Sequence, residues 1–232
     1  MRNIKYIPEK FYDSYGSYRE YVYPLIKKKH IRDFDKNFWR PSGFTSNMSV
    51  LEIGCGTGLF LKFIEKRGIR NFIGIESDKK VLEYMPDDLK DKIKIIDIFD
   101  YLGGLSNGEI FDRVVLIDVL EHFNPQEGVD LLELIKPVLS RNGVVIARVP
   151  NVSSPWGTKY QYGDLTHKAA YAPGSLKQVG LMAGFDCEVL PHRRGNPRKQ
   201  LFESAIEKII NLVITDPPDI WTANMVGLFR AR

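Results

Sequence analysis

The sequence predicts an α/β fold built on a doubly wound, largely parallel sheet, with helices on both faces. Three observations point there. Five short apolar runs (50–53, 72–75, 93–96, 114–117 and 144–149) are rich in Val and Ile and nearly continuous, as expected of strands buried on both faces. Helical segments lie between most of them. The first run ends in a glycine-rich turn, after which a helix begins near Leu59.

Each element follows from local composition. Residues 1–40 carry 10 of the 27 aromatics, six of them tyrosines: Tyr6, Tyr12, Tyr15, Tyr18, Tyr21 and Tyr23. Tyr15, Tyr18 and Val22 share helical spacing, extended by Tyr21 and Leu25, so one or two helices are expected between about 13 and 34. They would form a helical cap over residues 1–45, packed on the main domain, closing over a pocket, or both. The main domain spans 46–232. Within it, 59–67 reads as a helix stopped by Gly68, and 79–84 as a short second one. Residues 126–140 read as a third helix, with Pro137 kinking or shortening its end. The link 100–109 is too short and Gly-rich for a full helix. Residues 151–172 show no periodicity, yet Trp156, Tyr160, Tyr162 and Tyr171 argue against disorder. A helix over 173–183 with Gly184 after its end is then followed by strands at 187–190 and 225–229.

Between those two strands, 193–221 reads as a helical insert. His192, Arg193, Arg194, Arg198 and Lys199 precede an amphipathic stretch containing Leu201, Phe202, Ile206, Ile209, Ile210 and Val213. An ordinary helix packed on the domain or on a second subunit of a homodimer is the first reading of that pairing; contact with an anionic membrane through 192–214 is the functional alternative.

Composition narrows the function classes. With 44% hydrophobic, 27% charged and 12% aromatic residues, the chain is neither disordered, collagen-like nor a disulfide scaffold. No uncharged apolar stretch approaches the length of a membrane span. The first twenty residues have no apolar core and do not read as a signal peptide. Cys55 and Cys187 are too few for a disulfide framework, so a reduced, cytoplasmic protein is expected, free or at the inner face of the membrane. The net charge of +4 is uneven: +5 over 1–50, −4 over 51–190 and +3 over 191–232. Basic ends of this kind could steer an anionic partner.

The chemistry sits at the ends of the predicted strands, where open α/β sheets bind ligands. In Val50-Leu-Glu-Ile-Gly-Cys-Gly-Thr-Gly58, Gly54, Gly56 and Gly58 allow a tight turn and close approach of a ligand to the backbone, with Cys55 packed inside. The helix that follows offers N–H groups to an anion. The pattern is GxGxG followed by Leu59 and Phe60, not the GxGxxG of dinucleotide sites, and Glu52 could face a cationic amino group. Both favour a nucleoside with an amino-acid tail over a nicotinamide cofactor. Glu76, beside Ser77, ends the second strand and could accept both ribose hydroxyls. Asp97 ends the third and could accept from an adenine amino group, with Ile98 against the ring. The fourth ends in Asp118-Val-Leu-Glu-His122.

These motifs together (VLEIGCGTG, GIES, IIDIF, FDRVVLIDVLEHF and LLELIKPVLSRNGVVIARVPN) resemble the class I S-adenosylmethionine-dependent methyltransferases, over about residues 49–229. The resemblance implies a Rossmann-like seven-stranded sheet whose last strand is antiparallel. It also implies S-adenosylmethionine as cofactor, with S-adenosylhomocysteine as product. Glu52, Gly54 and Gly56 would lie near its methionine part, Glu76 at the ribose, Asp97 and Ile98 at the adenine, and Asp118, Val119 and His122 near the sulfonium. The stretch GDLTHKAAYAPGSL resembles, more loosely, enzymes modifying cell-surface polysaccharide and small metabolites.

In-line methyl transfer to a hydroxyl of a small molecule or glycan is the expected reaction. Its proton requires a base. His167, after the fifth strand, is the first candidate, with Asp164 orienting it or serving instead and His122 as the second; Thr166 and His167 pinning the loop is the competing reading. Trp156, Tyr160 and Tyr162 are candidate acceptor contacts. No His, Cys and carboxylate group has metal-ligand spacing, so no metal is expected. Alternatives are an RNA methyltransferase, disfavoured by the modest charge and the lack of a recognition module, and a non-catalytic cofactor-binding or membrane-docking module.

Overall fold

The computed structural model describes residues 21–105 and 109–232. Seven strands form one sheet: β1 (Ser49–Ile53), β2 (Asn71–Glu76), β3 (Ile93–Ile95), β4 (Phe111–Ile117), β5 (Leu139–Pro150), β6 (Phe185–Pro191) and β7 (Asn224–Ala231). Their spatial order is β3-β2-β1-β4-β5-β7-β6. The first five pair in parallel, and β7 runs antiparallel between β5 and β6. All seven expected runs are strands. β5 starts earlier than expected, and its pairing with β4 shifts register between Phe111 and Arg113.

Strand residues alternate between two cores, as the period of two requires. Leu51, Ile53, Val114, Leu116, Val145 and Ala147 face one. Helices α4 (Ile98–Gly104), α5 (Pro125–Ile135) and α7 (Pro173–Met182) cover it. Val50, Val115, Val144 and Ile146 face the other, covered by α1 (Lys28–Phe34), α2 (Leu59–Lys66) and α3 (Asp87–Lys90). Each fully buried Val, Leu or Ile contributes about 1.5–3 kcal/mol. In the second core Phe34, Phe38, Phe60 and Phe63 make tilted and edge-to-face ring contacts, fixing α1 against α2.

Several expectations need correction. Residues 21–27 are not helical; the helix begins at Lys28, after Pro24 has interrupted the pattern, and continues into a π-helical turn at Asp35–Trp39. The remainder of the expected N-terminal helix, with Tyr6, Tyr12, Tyr15 and Tyr18, lies outside the described residues. Lys79–Tyr84 is a 3-10 turn. The link expected to be too short for a helix holds α4, because Asp97 caps it by accepting from Phe99 N and Asp100 N. α5 ends at Ile135; Pro137 removes a donor, and a 3-10 turn leads directly into β5. Residues 151–172 contain the short α6 (Thr158–Gln161), and a bridge joins Asn151 to Tyr171.

The insert is α8 (Pro197–Val213), capped by Asn196. None of its residues is buried, and Leu212 is 87% exposed. Among the described residues no helix is long and apolar enough to cross a membrane.

Candidate functional site

The turn after β1 is bent by backbone that only glycine adopts easily. Gly54, Gly56 and Gly58 have φ of 66, 52 and 86°. At Gly54 a Cβ would lie 2.5 Å from Val119 Cγ2, so this glycine also lets the segment after β4 pack against the turn; at Gly56 a Cβ would meet nothing within 4 Å, which leaves an open cradle. Cys55 is buried, with Sγ against the Cα side of Gly74; burial pushes its thiol well up, so it is a packing residue.

Glu76 stitches the turn to β2. Its Oε2 accepts from Gly56 N at 2.9 Å, and its Oε1 accepts from Ser77 N at 2.8 Å and Asp78 N at 3.0 Å. Above them, Tyr21 donates to Asp78 (2.7 Å) and Thr57 donates to the Val22 carbonyl (3.0 Å), so residues 21–22 are tied to both sides of the turn. At Asp97, Oδ1 accepts both cap bonds; Ile98 is buried in the first core.

Glu52 is 3% exposed, and its Oε2 has no hydrogen-bond partner among the described residues. Burial, reinforced by the charge of Glu76, pushes its carboxyl well above the usual range. It faces a cavity of about 980 Å³ that starts at Gly54, Cys55 and Gly56 and runs between α1 and the start of α8. A cation entering there would find a buried acceptor waiting.

Asp118 ends β4 with φ 57°, the one non-glycine residue with positive φ among those described. Its carboxylate is gripped by the guanidinium of Arg148, which lines the cavity: Nε donates to Oδ1 at 2.8 Å and the second contact runs from NH2 to Oδ2. Beyond it lies a polar cluster. Thr166 donates to Asp164 Oδ1 at 2.6 Å and lies 3.0 Å from His122 Nδ1; His167 Nδ1 lies 2.9 Å from the Gln161 carbonyl. A carbonyl only accepts, so the neutral His167 ring carries its proton on Nδ1 and a lone pair on Nε2. With its hydrogen given to Asp164, Thr166 accepts from His122 Nδ1, which leaves that Nε2 a lone pair as well. The two rings meet edge to face at 4.7 Å. Burial raises the Asp164 carboxyl, but the Thr166 bonds and the adjacent histidines outweigh it and hold it below its ordinary range. Chain spacing shows no metal group, yet Glu121, His122 and His167 bring one donor atom each within 4.8 Å of one another.

A second cavity, of about 390 Å³, adjoins the first at Arg193, Arg194 and Gly195; Trp156 and Tyr160 line it, whereas Tyr162, 72% exposed, lines neither. Arg193 and Arg194, expected as part of a basic cluster, line both cavities, whereas Arg148 was not among the expected site residues. An arginine inside the apolar run of β5 was the available clue, since a buried charge needs a partner.

A sequence model of the methyltransferase domain matches residues 18–190. The chain belongs to this methyltransferase family. Similar solved methyltransferase structures include a SAM-dependent one from Archaeoglobus fulgidus, 22% identical with a TM-score of 0.65, covering 82% of this chain and 89% of that one. The plantazolicin methyltransferase BpumL, solved with SAH, is 17% identical at a TM-score of 0.58, covering 97% and 90%. These likenesses show the shared fold. The peramine synthetase ppzA of Metarhizium rileyi is 30% identical over 102 residues, 41% of this methyltransferase. The chain spans about 4% of the length of the curated relatives it matches.

Proposed function

We propose that this methyltransferase uses S-adenosylmethionine to methylate a hydroxyl of a small-molecule or glycan acceptor, with S-adenosylhomocysteine as product. The observation that carries the reading is Glu52: a buried carboxylate whose Oε2 has no hydrogen-bond partner among the described residues, at the open end of a glycine turn. It fits the α-ammonium of the cofactor's methionine part. When bound, the cofactor supplies a methyl group on a positively charged sulfur.

In this reading Gly54, Cys55, Gly56 and Gly58 form the cradle. Glu76, beside Ser77, takes a ribose hydroxyl on the remaining lone pair of Oε2. Asp97 uses Oδ2 for the adenine amino group, and Ile98 packs on the ring. Asp118, Val119 and His122 border the reacting end. His167 Nε2 receives the acceptor's proton, with Asp164 and His122 setting the ring and the local charge. Trp156 and Tyr160 line the acceptor's second compartment, and Tyr162, which lines neither cavity, is left out of it. Residues 21–45 act as the cap, supported by the ties of Tyr21 and Val22 across the glycine turn, and the rest of the expected cap lies outside the described residues.

Calorimetric titration with S-adenosylhomocysteine, with NAD as control, tests the cofactor. Micromolar binding weakened in Glu76→Ala is expected; no binding, or binding indifferent to Glu76, overturns the reading. Binding without turnover on any hydroxyl acceptor would instead favour a non-catalytic module, and salt-sensitive RNA binding a nucleic-acid substrate.

One observation favours a second role for the insert, docking at the cytoplasmic face of an anionic membrane: Leu201, Phe202, Ile209 and Leu212 are all more than 60% exposed on a helix that follows a basic turn. Flotation with anionic vesicles, lost in Phe202→Glu, is the expected result. A concentration-dependent dimer that Phe202→Glu dissociates would assign the face to a second copy.

A further inference from the structure

We propose that the large cavity holds a subsite for a phosphoryl group on the acceptor, built by Lys29 and Arg32 of α1, Lys36 of the π-helical turn that follows it, and Arg194 in the turn before α8. This rests on the methyl-transfer reading above and names the acceptor's charge.

The argument is one of charge balance. Among the described residues seven Lys and Arg side chains line the cavity. Three are already paired: Arg40 with Asp35, Arg148 with Asp118 and Arg193 with Glu207. The other four, Lys29, Arg32, Lys36 and Arg194, have no carboxylate partner among the described residues; Lys36 reaches only the neutral amide of Gln200. The cavity's acids offset them only in part. Asp35 is shared by Arg40 and Arg67, and burial pushes the Glu52 carboxyl towards its neutral form; Asp33, whose carboxyl burial would raise but the His192 contact and the charges of Arg148 and Arg194 hold low, is the one carboxylate left to balance the four. Gly195, Asn196 and Pro197 bring the positive end of the 17-residue α8 to the same wall.

Four unpaired cations converging from two elements exceed what one carboxylate balances. A phosphoryl group carries up to two charges and three acceptor oxygens, which suits cations arriving from opposite sides. The same wall opens on the compartment with Trp156 and Tyr160. A phosphorylated acceptor would therefore lie with its anion between α1 and α8 and its body either towards the glycine turn or over the aromatic side.

The test uses the full chain and inorganic pyrophosphate as probe. Titration at low salt should give binding that falls steeply with added salt, and Arg32→Ala and Arg194→Ala should each weaken it about tenfold or more. S-Adenosylhomocysteine affinity should be unchanged in both variants, which also reports that they fold. A second arm measures binding to vesicles containing phosphatidic acid. Vesicle binding weakened by the same two variants assigns the phosphoryl group to a lipid headgroup, and a response with pyrophosphate alone assigns it to a soluble acceptor. Wild type that binds S-adenosylhomocysteine but neither phosphate probe, or probes indifferent to both variants, overturns the subsite. Loss of S-adenosylhomocysteine binding in the wild type would instead overturn the reading beneath it.

Discussion

Asp118 and Arg148 clasp each other across adjacent strands. Asp118 N donates to the Arg148 carbonyl at 3.0 Å, and Arg148 Nε donates back to the Asp118 carboxylate at 2.8 Å. The pair holds a left-handed residue at the end of β4, next to the cavity. Removing one partner of a buried pair costs about 3–5 kcal/mol, and Asp118 keeps some access to water, so Arg148→Met should cost about 3 kcal/mol. Urea unfolding measures this. The same substitution should cost less in an Asp118→Asn background; equal losses in the two backgrounds would show that the residues are not coupled.

Glu52→Gln should raise stability while weakening the cofactor. The fold raises the Glu52 pKa, so its stability contribution is full below the unfolded value of about 4.3 and is lost as pH rises towards the folded value. Wild type and variant should therefore match near pH 4 and diverge above it, the variant melting higher at pH 8. S-Adenosylhomocysteine affinity should fall about tenfold with loss of the charge partner. A variant that melts lower at pH 8 would contradict the buried-acid account.

Gly54→Ala should disturb two things together. The added carbon would lie 2.5 Å from Val119 Cγ2, and φ of 66° is strained for alanine. A loss of about 1–3 kcal/mol is expected in thermal or denaturant unfolding, with cofactor binding abolished. Val119→Ala should restore only part of the stability, because it removes the clash and leaves the backbone strain.

His167→Ala should lower turnover by about 10²–10⁴-fold with cofactor affinity retained. Thr166→Val removes the hydroxyl between Asp164 and His122, and its effect should be smaller. Dialysis against EDTA should leave turnover unchanged, since the ring nitrogens are used here for protons. Activity that EDTA abolishes and a divalent ion restores would move Glu121, His122 and His167 into a metal-binding role.

The strands were legible because parallel strands buried on both faces must be apolar throughout, and each Val- and Ile-rich run became one. The glycine turn was legible because its backbone admits little else. What escaped was long-range. Arg148 meets Asp118 over 30 residues, and His122 meets His167 over 45, distances at which no periodicity operates. The α4 helix escaped because Asp97 was read for a ligand contact alone, although a carboxylate before an apolar turn is also a cap. Pro24 was outweighed by tyrosine spacing, and the expected helix accordingly reached too far back into residues 21–27.

The antiparallel strand has a consequence for how the protein is made. β7 lies between β5 and β6, and those two strands touch it rather than each other. While the ribosome works through the stretch that ends at α8, β5 presents an open edge, and β6 has no neighbour to pair with. Asn151 N and His192 N also wait for the carbonyls of Ala223 and Asn224. The glycine turn and its four parallel neighbours can assemble early, but the wall carrying Arg193 and Arg194 can lock only when β7 emerges. Vectorial synthesis thus sets an order: the glycine turn can be in place before the opposite wall of the cavity that opens on it.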